Sequence, residues 1–271
     1  MKTAMKKLIR GIVPASMLQR LWPWGSIHSR DASRNGWYNG KDYQLFPNFT
    51  IDPLDTFVDV GCGDGTACMF AANCGAEVIG VDIDEALMAD LAKRLKKSAA
   101  RQSQALVSDG HPLPLEDAIA TRVVCQEVLE HVPDPRQFVS ELVRIGKPGA
   151  RYLLTVPDPV GESIQKKIAP PAYWAPPNHV RIFQREDFSR LVVDSGLRIE
   201  KRTRYSYYWA MWWTLFWGAN KPVKFGSGET PVLHHWNKLW GHMVSDPNYA
   251  KVVDALDDLM PKSQIIIAVK D

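Results

Sequence analysis

The stretch Phe57-Val58-Asp59-Val60-Gly61-Cys62-Gly63-Asp64-Gly65-Thr66 limits the fold more than any other part of the chain. Phe57, Val58 and Val60 suit a buried strand. Three alternating glycines then allow a tight turn and let a ligand lie against bare main chain. Thr66 onward reads as a helix ending near Asn73 and Gly75. Its first N–H groups have no partners within the helix and so favour an anionic group. A second apolar strand, 77–83, ends on Asp82, 21 positions after Gly61. In a strand–helix–strand unit, that spacing sets an acid beside a ribose diol. A dinucleotide-binding dehydrogenase would need Gly where Thr66 stands, and would rarely carry an acid at Asp59. An acid there suits a ligand bearing an ammonium group.

The pattern continues. Helix 84–97 leads to strand 103–109, which ends in Asp109, and strand 122–127 runs into Val128-Leu129-Glu130-His131. Helix 134–145 starts at Asp134-Pro135 and stops at Lys147-Pro148-Gly149. Strand 151–156, helix 185–195, strand 197–205 and a last strand 264–270 follow. Strands separated by helices imply a parallel sheet with ligands at the carboxyl ends of the strands.

Asp-Val-Gly-Cys-Gly-Asp-Gly, Asp82, Ser108-Asp109-Gly110 and Glu127-Val128-Leu129-Glu130-His131 together resemble class I S-adenosylmethionine-dependent methyltransferases of the type 11 group. The resemblance implies a Rossmann-like α/β sheet, mostly parallel, with an antiparallel last strand and helices on both faces. It implies that Asp59 and the Gly61–Gly65 turn, with Cys62 and Gly63, hold the methionine moiety. Asp82 would bind both ribose hydroxyls and Asp109 would accept from the adenine amino group, with Ile83, Gly110 and Gln126 completing the cofactor set.

The stretch Cys125 to Pro135 is similar to ubiquinone-biosynthesis O-methyltransferases. In that group two glutamates and a histidine bind a divalent cation, and Glu127, Glu130 and His131 stand at those positions. Many relatives with the same short motif use no metal, and none is assigned here. Methyl transfer asks the protein mainly for alignment and exclusion of water. A hydroxyl acceptor also loses a proton, so His131 and His179 are the candidate bases. Gln126-Glu127-Val128 stands where a nucleic-acid methyltransferase would carry a motif such as Asn-Pro-Pro-Tyr, which argues against nucleic acid. The expected partner is a small-molecule acceptor. A non-catalytic S-adenosylmethionine-binding module is the other class, and the intact glycine turn, Asp82 and Asp109 speak against it.

Three regions are expected: a basic amphipathic arm and cap over 1–50, the cofactor-binding domain over 51–205 with 262–271, and a Trp-rich helical insertion over 206–261. The net charge is +3, yet residues 1–50 carry eight Lys or Arg against two Asp, so the positive charge is concentrated at the start of the chain. Residues 5–13 form an amphipathic stripe of Met5, Leu8, Ile9, Ile12 and Val13. The reading divides there between a membrane-surface anchor and a helix packed on the core. Residues 25–50 read as a loop or cap, with Trp37, Tyr38 and Tyr43 as aromatic candidates near a sulfonium. Residues 157–183 read as a proline-rich connection.

In the insertion, Trp209, Trp212, Trp213 and Phe216 share one helical face. Tyr205 to Trp217 is too short to span a bilayer. The segment is read as a lid over a greasy acceptor, a helix in the membrane interface, or plain packing. Cys62, Cys68, Cys74 and Cys125 include no C-x-x-C pair and read as buried thiols in a reducing compartment. The expected location is cytoplasmic, with peripheral contact at the inner membrane surface as the alternative.

Overall fold

The computed structural model of the chain describes residues 27–219 and 230–271. The basic amphipathic stripe over 5–13 and the segment 220–229 lie outside the described residues. By its internal contacts the chain divides into two units. A sheet unit comprises Gly36–Val156, Phe183–Thr203 and Gln264–Asp271. A helical unit comprises the described part of Met1–Asn35 with Pro157–Ile182 and Arg204–Ser263.

The sheet unit opens with a hairpin, β1 (Gln44–Phe46) and β2 (Phe49–Thr50), where a loop or cap was expected. The alternating core follows: β3 (Thr56–Val60), α2 (Thr66–Asn73), β4 (Glu77–Asp82), α3 (Glu85–Leu95), β5 (Gln102–Val107), β6 (Ala120–Gln126), α4 (Pro135–Ile145) and β7 (Gly146–Pro157). The helix before this hairpin, α1 (Ile27–Arg34), belongs to the helical unit. α6 (Arg185–Asp194), β8 (Leu197–Tyr205) and β9 (Ser263–Lys270) complete the sheet layer. Seven strands pair in the order β5-β4-β3-β6-β7-β9-β8.

Registers on both sides of β3 are parallel, with Val60 opposite Val81 and Asp59 opposite Val124. Asp82 lies opposite Val107, and Gln126 opposite Thr155. The carboxyl ends of β3, β4, β5 and β6 therefore share one edge of the sheet, where a parallel α/β sheet binds ligands. β9 runs antiparallel, as expected. Lys262 N–H donates to the Tyr205 carbonyl at 2.9 Å, so the chain re-enters the sheet where β8 leaves it. At the far end the Lys270 ammonium donates to the Val143 and Gly146 carbonyls, beside the start of β7.

Buried aliphatic side chains from both faces make the core, among them Val58, Val81, Val123, Leu142, Leu154 and Ile266, with Phe188 and Tyr152. Two predicted strand ends move. β5 stops at Val107, which leaves Asp109 in the loop beyond it. β7 starts at Gly146 because Lys147-Pro148-Gly149 continues extended instead of forming a helix stop.

The helical unit contains α1, α5 (Pro159–Gln165), a 3-10 turn at Pro171–Trp174, α7 (Tyr207–Gly218), α8 (Pro231–Ser245) and α9 (Ala250–Leu259). Part of the proline-rich connection is thus helical. Asp158 caps α5 by accepting from Val160 N–H at 3.1 Å, and Pro159 fits the first helical position. The buried stripe of α7 is Tyr208, Trp212 and Phe216, packed with Leu233, Trp240 and Val253. Trp209 and Trp213 flank it, half-buried, so the aromatic face drawn from the sequence is rotated by about one residue.

At the centre of this unit the fully buried Asp31 accepts from Ser206 Oγ at 2.7 Å and from Trp240 Nε1 at 2.8 Å. Trp236 Nε1 donates to the Tyr208 carbonyl. Two indoles, Trp236 and Trp240, therefore have hydrogen-bond partners of their own, whereas the buried Nε1 groups of Trp212 and Trp217 have none among the described residues. No helix among the described residues is long and apolar enough to cross a membrane.

Candidate cofactor crevice and histidine site

The glycine turn leaves β3 with three residues in the left-handed region, Gly61 (φ 77°), Gly63 (φ 53°) and Gly65 (φ 76°). Their surroundings separate their roles. A Cβ on Gly61 would lie 2.2 Å from Val128 Cγ2, and one on Gly65 2.4 Å from Leu91 Cδ1. Both are glycines because the protein closes over them. Gly63 has nothing within 4 Å of that position. It is the bare backbone that faces open space, where a ligand can lie.

The turn is held from several sides. Gly61 and Cys62 N–H groups donate to the Val81 carbonyl, at 2.8 and 3.0 Å, and Gly63 N–H donates to Asp82 Oδ2 at 2.8 Å. The Arg94 guanidinium donates to the Asp64 carbonyl. The Asp64 carboxylate itself receives Thr66 N–H, so one of the helix-start donors expected for a ligand is already used.

Asp82 is fixed twice, since Asp84 N–H donates to its other oxygen at 2.9 Å. Each oxygen thus has one main-chain donor and keeps acceptor capacity for a diol. Ile83 and Val107, at adjacent strand ends, are 63% and 49% exposed, an apolar pair suited to a planar base. Asp109 is exposed beyond β5, and its carboxylate accepts from His111 N–H. Gly110 is buried with φ 82°, and a Cβ there would meet Phe138 at 2.3 Å. Gln126 ends β6, half-buried. Glu127, next to it, has φ 54°, accepts from Thr155 Oγ1 at 3.0 Å, and donates its own N–H to the Thr155 carbonyl.

Asp59 is 3% exposed. Burial raises its carboxyl from 3.8 to about 7, with the Cys68 thiol opposing and the like charges of Asp82 and Asp64 adding to the shift. None of these neighbours is cationic. Burial, with the charges of Asp59 and Asp64 beside it, pushes the Tyr38 phenol up. Tyr38 sits edge-on to Phe70, with ring centroids 5.8 Å apart, and Trp37 is buried against Phe46. Tyr43 is half exposed. Of the three aromatic candidates, Tyr38 is the one brought to the Asp59 end of the crevice.

Glu130 is buried, with Oε1 3.7 Å from His131 Nε2. His179, in the helical unit, is also buried. Its Nδ1 lies 2.7 Å from Glu162 Oε2, and its Nε2 lies 3.2 Å from the Tyr173 hydroxyl. Glu162 and Tyr173 were not anticipated from the sequence. Asp158-Pro159 with Glu162 close behind is a helix-start signal that could have located the first.

A turn with one glycine facing open space, a doubly held acid beside it and a buried acid lacking a cation fit a ligand that joins an ammonium group to a nucleoside. Residues 58–154 match the family model described as a methyltransferase domain. A probable S-adenosylmethionine-dependent methyltransferase of Mycolicibacterium smegmatis is 31% identical over 145 residues, 53% of this chain and 52% of that protein. A ubiquinone biosynthesis O-methyltransferase of Thiobacillus denitrificans is 29% identical over 162 residues, 55% of this chain and 67% of that protein. Among solved structures, geranyl diphosphate C-methyltransferase of Streptomyces coelicolor has a TM-score of 0.55 at 19% identity, covering 82% of this chain and 72% of its own. The chain spans about half the length of the first of these curated relatives.

Proposed function

Because residues 58–154 form a class I S-adenosylmethionine-dependent methyltransferase domain, we propose that the protein transfers a methyl group from S-adenosylmethionine to a hydroxyl oxygen of a hydrophobic small molecule. The observation that carries the cofactor half is the doubly held Asp82 beside the open Gly63. In this reading Asp59, Gly61, Cys62 and Gly63 receive the methionine moiety, and Asp59 pairs with its ammonium. Asp82 and Ile83 take the ribose, Asp109 and Gly110 the adenine, and Gln126 closes the set. When bound, S-adenosylmethionine supplies an electrophilic methyl whose C–S electron pair stays on sulfur while the acceptor oxygen's lone pair forms the new C–O bond.

His179 is the residue we assign to take the acceptor's proton, with His131 as the second candidate. The relative named for ubiquinone biosynthesis supports a hydrophobic O–H acceptor. A neighbour named as a C-methyltransferase keeps transfer to carbon as the alternative. The Trp-rich helices of the second unit suit a greasy acceptor or a membrane surface, and a water-soluble sugar or natural product is the competing acceptor class.

Purified protein incubated with methyl-labelled S-adenosylmethionine and a panel of polyprenylated phenols, simple phenols and sugars tests this. Label in the polyprenylated phenols is expected. Label confined to the sugars, or to carbon, would overturn the acceptor reading. Turnover with that acceptor should fall by at least tenfold in His179→Ala, roughly 1.4 kcal/mol, with S-adenosylhomocysteine affinity unchanged.

A further inference from the structure

We infer that Glu162 is a positioning residue for His179, holding its imidazole as the Nδ1–H tautomer so that Nε2 is the atom that takes the acceptor's proton. The inference rests on the reading of His179 as the base.

α5 is built inside out. Its Glu162 and Gln165 are 2% and 1% exposed, while Val160, Ile164 and, in the turn after the helix, Ile168 are 39%, 37% and 41% exposed. A short helix folding for stability alone would turn the other way, because burying a carboxylate costs free energy that exposing aliphatic surface does not return. Glu162 is tied by one short contact, 2.7 Å from Oε2 to His179 Nδ1. Its Oε1 is buried and has no hydrogen-bond partner among the described residues. The carboxylate is thus left short of donors, a state that positive charge on the neighbouring imidazole relieves.

An ionised carboxylate can only accept, so the proton in this contact belongs to Nδ1. Nε2 then offers its lone pair, and the Tyr173 hydroxyl at 3.2 Å is its donor. Tyr173 is held in place by its own packing. Its ring lies 4.6 Å from the His179 ring, 5.0 Å from Trp174 and 4.8 Å from Trp217. The loop is closed by His179 N–H on the Tyr173 carbonyl and by Asn178 Nδ2 on the Ala172 carbonyl. An acceptor hydroxyl replaces the Tyr173 hydroxyl on Nε2. Its proton would pass to Nε2, leaving the O–H electron pair on the oxygen, and the imidazolium formed would lie against Glu162 until it releases the proton to water. The acceptor class this favours is an O–H compound, because a carbon nucleophile has no such hydroxyl to place there.

The test is nitrogen-15 histidine spectroscopy of the full chain with S-adenosylhomocysteine at pH 8, with His179 assigned by its loss in His179→Gln. The wild type is expected to show a one-bond proton on Nδ1 and none on Nε2. In Glu162→Leu the Nδ1–H signal is expected to be lost in favour of the Nε2–H form that free imidazole prefers. Glu162→Gln, close in shape, serves if the leucine variant does not fold, and should show a mixture of both forms. In Tyr173→Phe the Nδ1–H signal should persist while the Nε2 shift moves. An Nε2–H tautomer or an imidazolium in the wild type would overturn the inference, as would a tautomer unchanged in both Glu162 variants. The readout does not involve turnover. A His179→Ala variant that keeps full turnover would therefore defeat the base reading while the Glu162 contact stood, and the two failures are told apart.

Discussion

Asp31 and Asp59 are both buried, one in each unit, and their surroundings differ. Asp31, in the helical unit, has a donor from Ser206 and another from Trp240, and its near charges include Arg34. Asp59, in the sheet unit, has the Cys68 thiol at 3.6 Å and two like charges. Burial raises both carboxyls, Asp31 to about 6 and Asp59 to about 7. The first is satisfied by the chain itself and organises a fold. The second lacks a countercharge that a cationic ligand would bring. A buried acid completed by its own structure reads as architecture, and one left incomplete reads as a binding group.

The largest expected effect is within the glycine turn. Gly61→Ala forces a Cβ into Val128 at a left-handed backbone position and should lower stability by about 3 kcal/mol, measured by denaturant unfolding. Gly63→Ala meets open space, so its stability loss should be about 1 kcal/mol, with cofactor affinity the property that collapses. Equal stability losses for the two would break the distinction between a closed and an open glycine.

Asp31→Ala should come next, at about 2–3 kcal/mol, because it leaves the Ser206 and Trp240 donors buried without a partner. Cofactor affinity should not change. Asp31→Asn should be milder.

Asp59→Asn should weaken S-adenosylhomocysteine binding by about tenfold, or 1.4 kcal/mol, with little loss of stability. The two acids also give a pH signature. A carboxyl raised from 3.8 to about 7 favours the folded state fully below 3.8 and loses that contribution as pH rises through 7. Ligand-free stability should therefore decline from about pH 4 to pH 7. Cofactor affinity should rise over the upper part of the same range, because the ammonium group pairs with the carboxylate. Asp59→Asn should flatten the affinity profile, and Asp31→Asn only the stability profile. The smallest effect is Trp236→Phe, about 1 kcal/mol, for the lost bond to the Tyr208 carbonyl.

The same contrast explains what could be read from the sequence. The strand and glycine turn from Phe57 to Thr66 and the strand ending in Asp82 were legible because strand periodicity, glycine spacing and an acid at a strand end are local signals, whereas Asp109 falls beyond the end of β5. Their partners, too, are largely main chain. The buried Asp31 was not legible, since Ser206 and Trp240 are 175 and 209 positions away. Glu162 was hidden because the prolines around it suggested an irregular connection, and an inside-out helix gives the wrong amphipathic cue. The Trp-rich face was read from helical geometry without knowing that α1, α8 and α9 share its unit, and so its indole partners were missed. The residues closing the left-handed turn at Gly61 and Gly65, Val128 and Leu91, are likewise visible only in three dimensions.

Calorimetric titration of S-adenosylhomocysteine into the wild-type chain and into Asp82→Ala at pH 8 tests the central claim most directly, that the sheet unit is an incomplete structure its cofactor finishes. Micromolar binding is expected for the wild type, roughly −8 kcal/mol, and at least tenfold weaker binding for the variant, whose loss leaves a ribose diol without its acceptor. No binding to the wild type, or equal affinity for both proteins, would contradict the account.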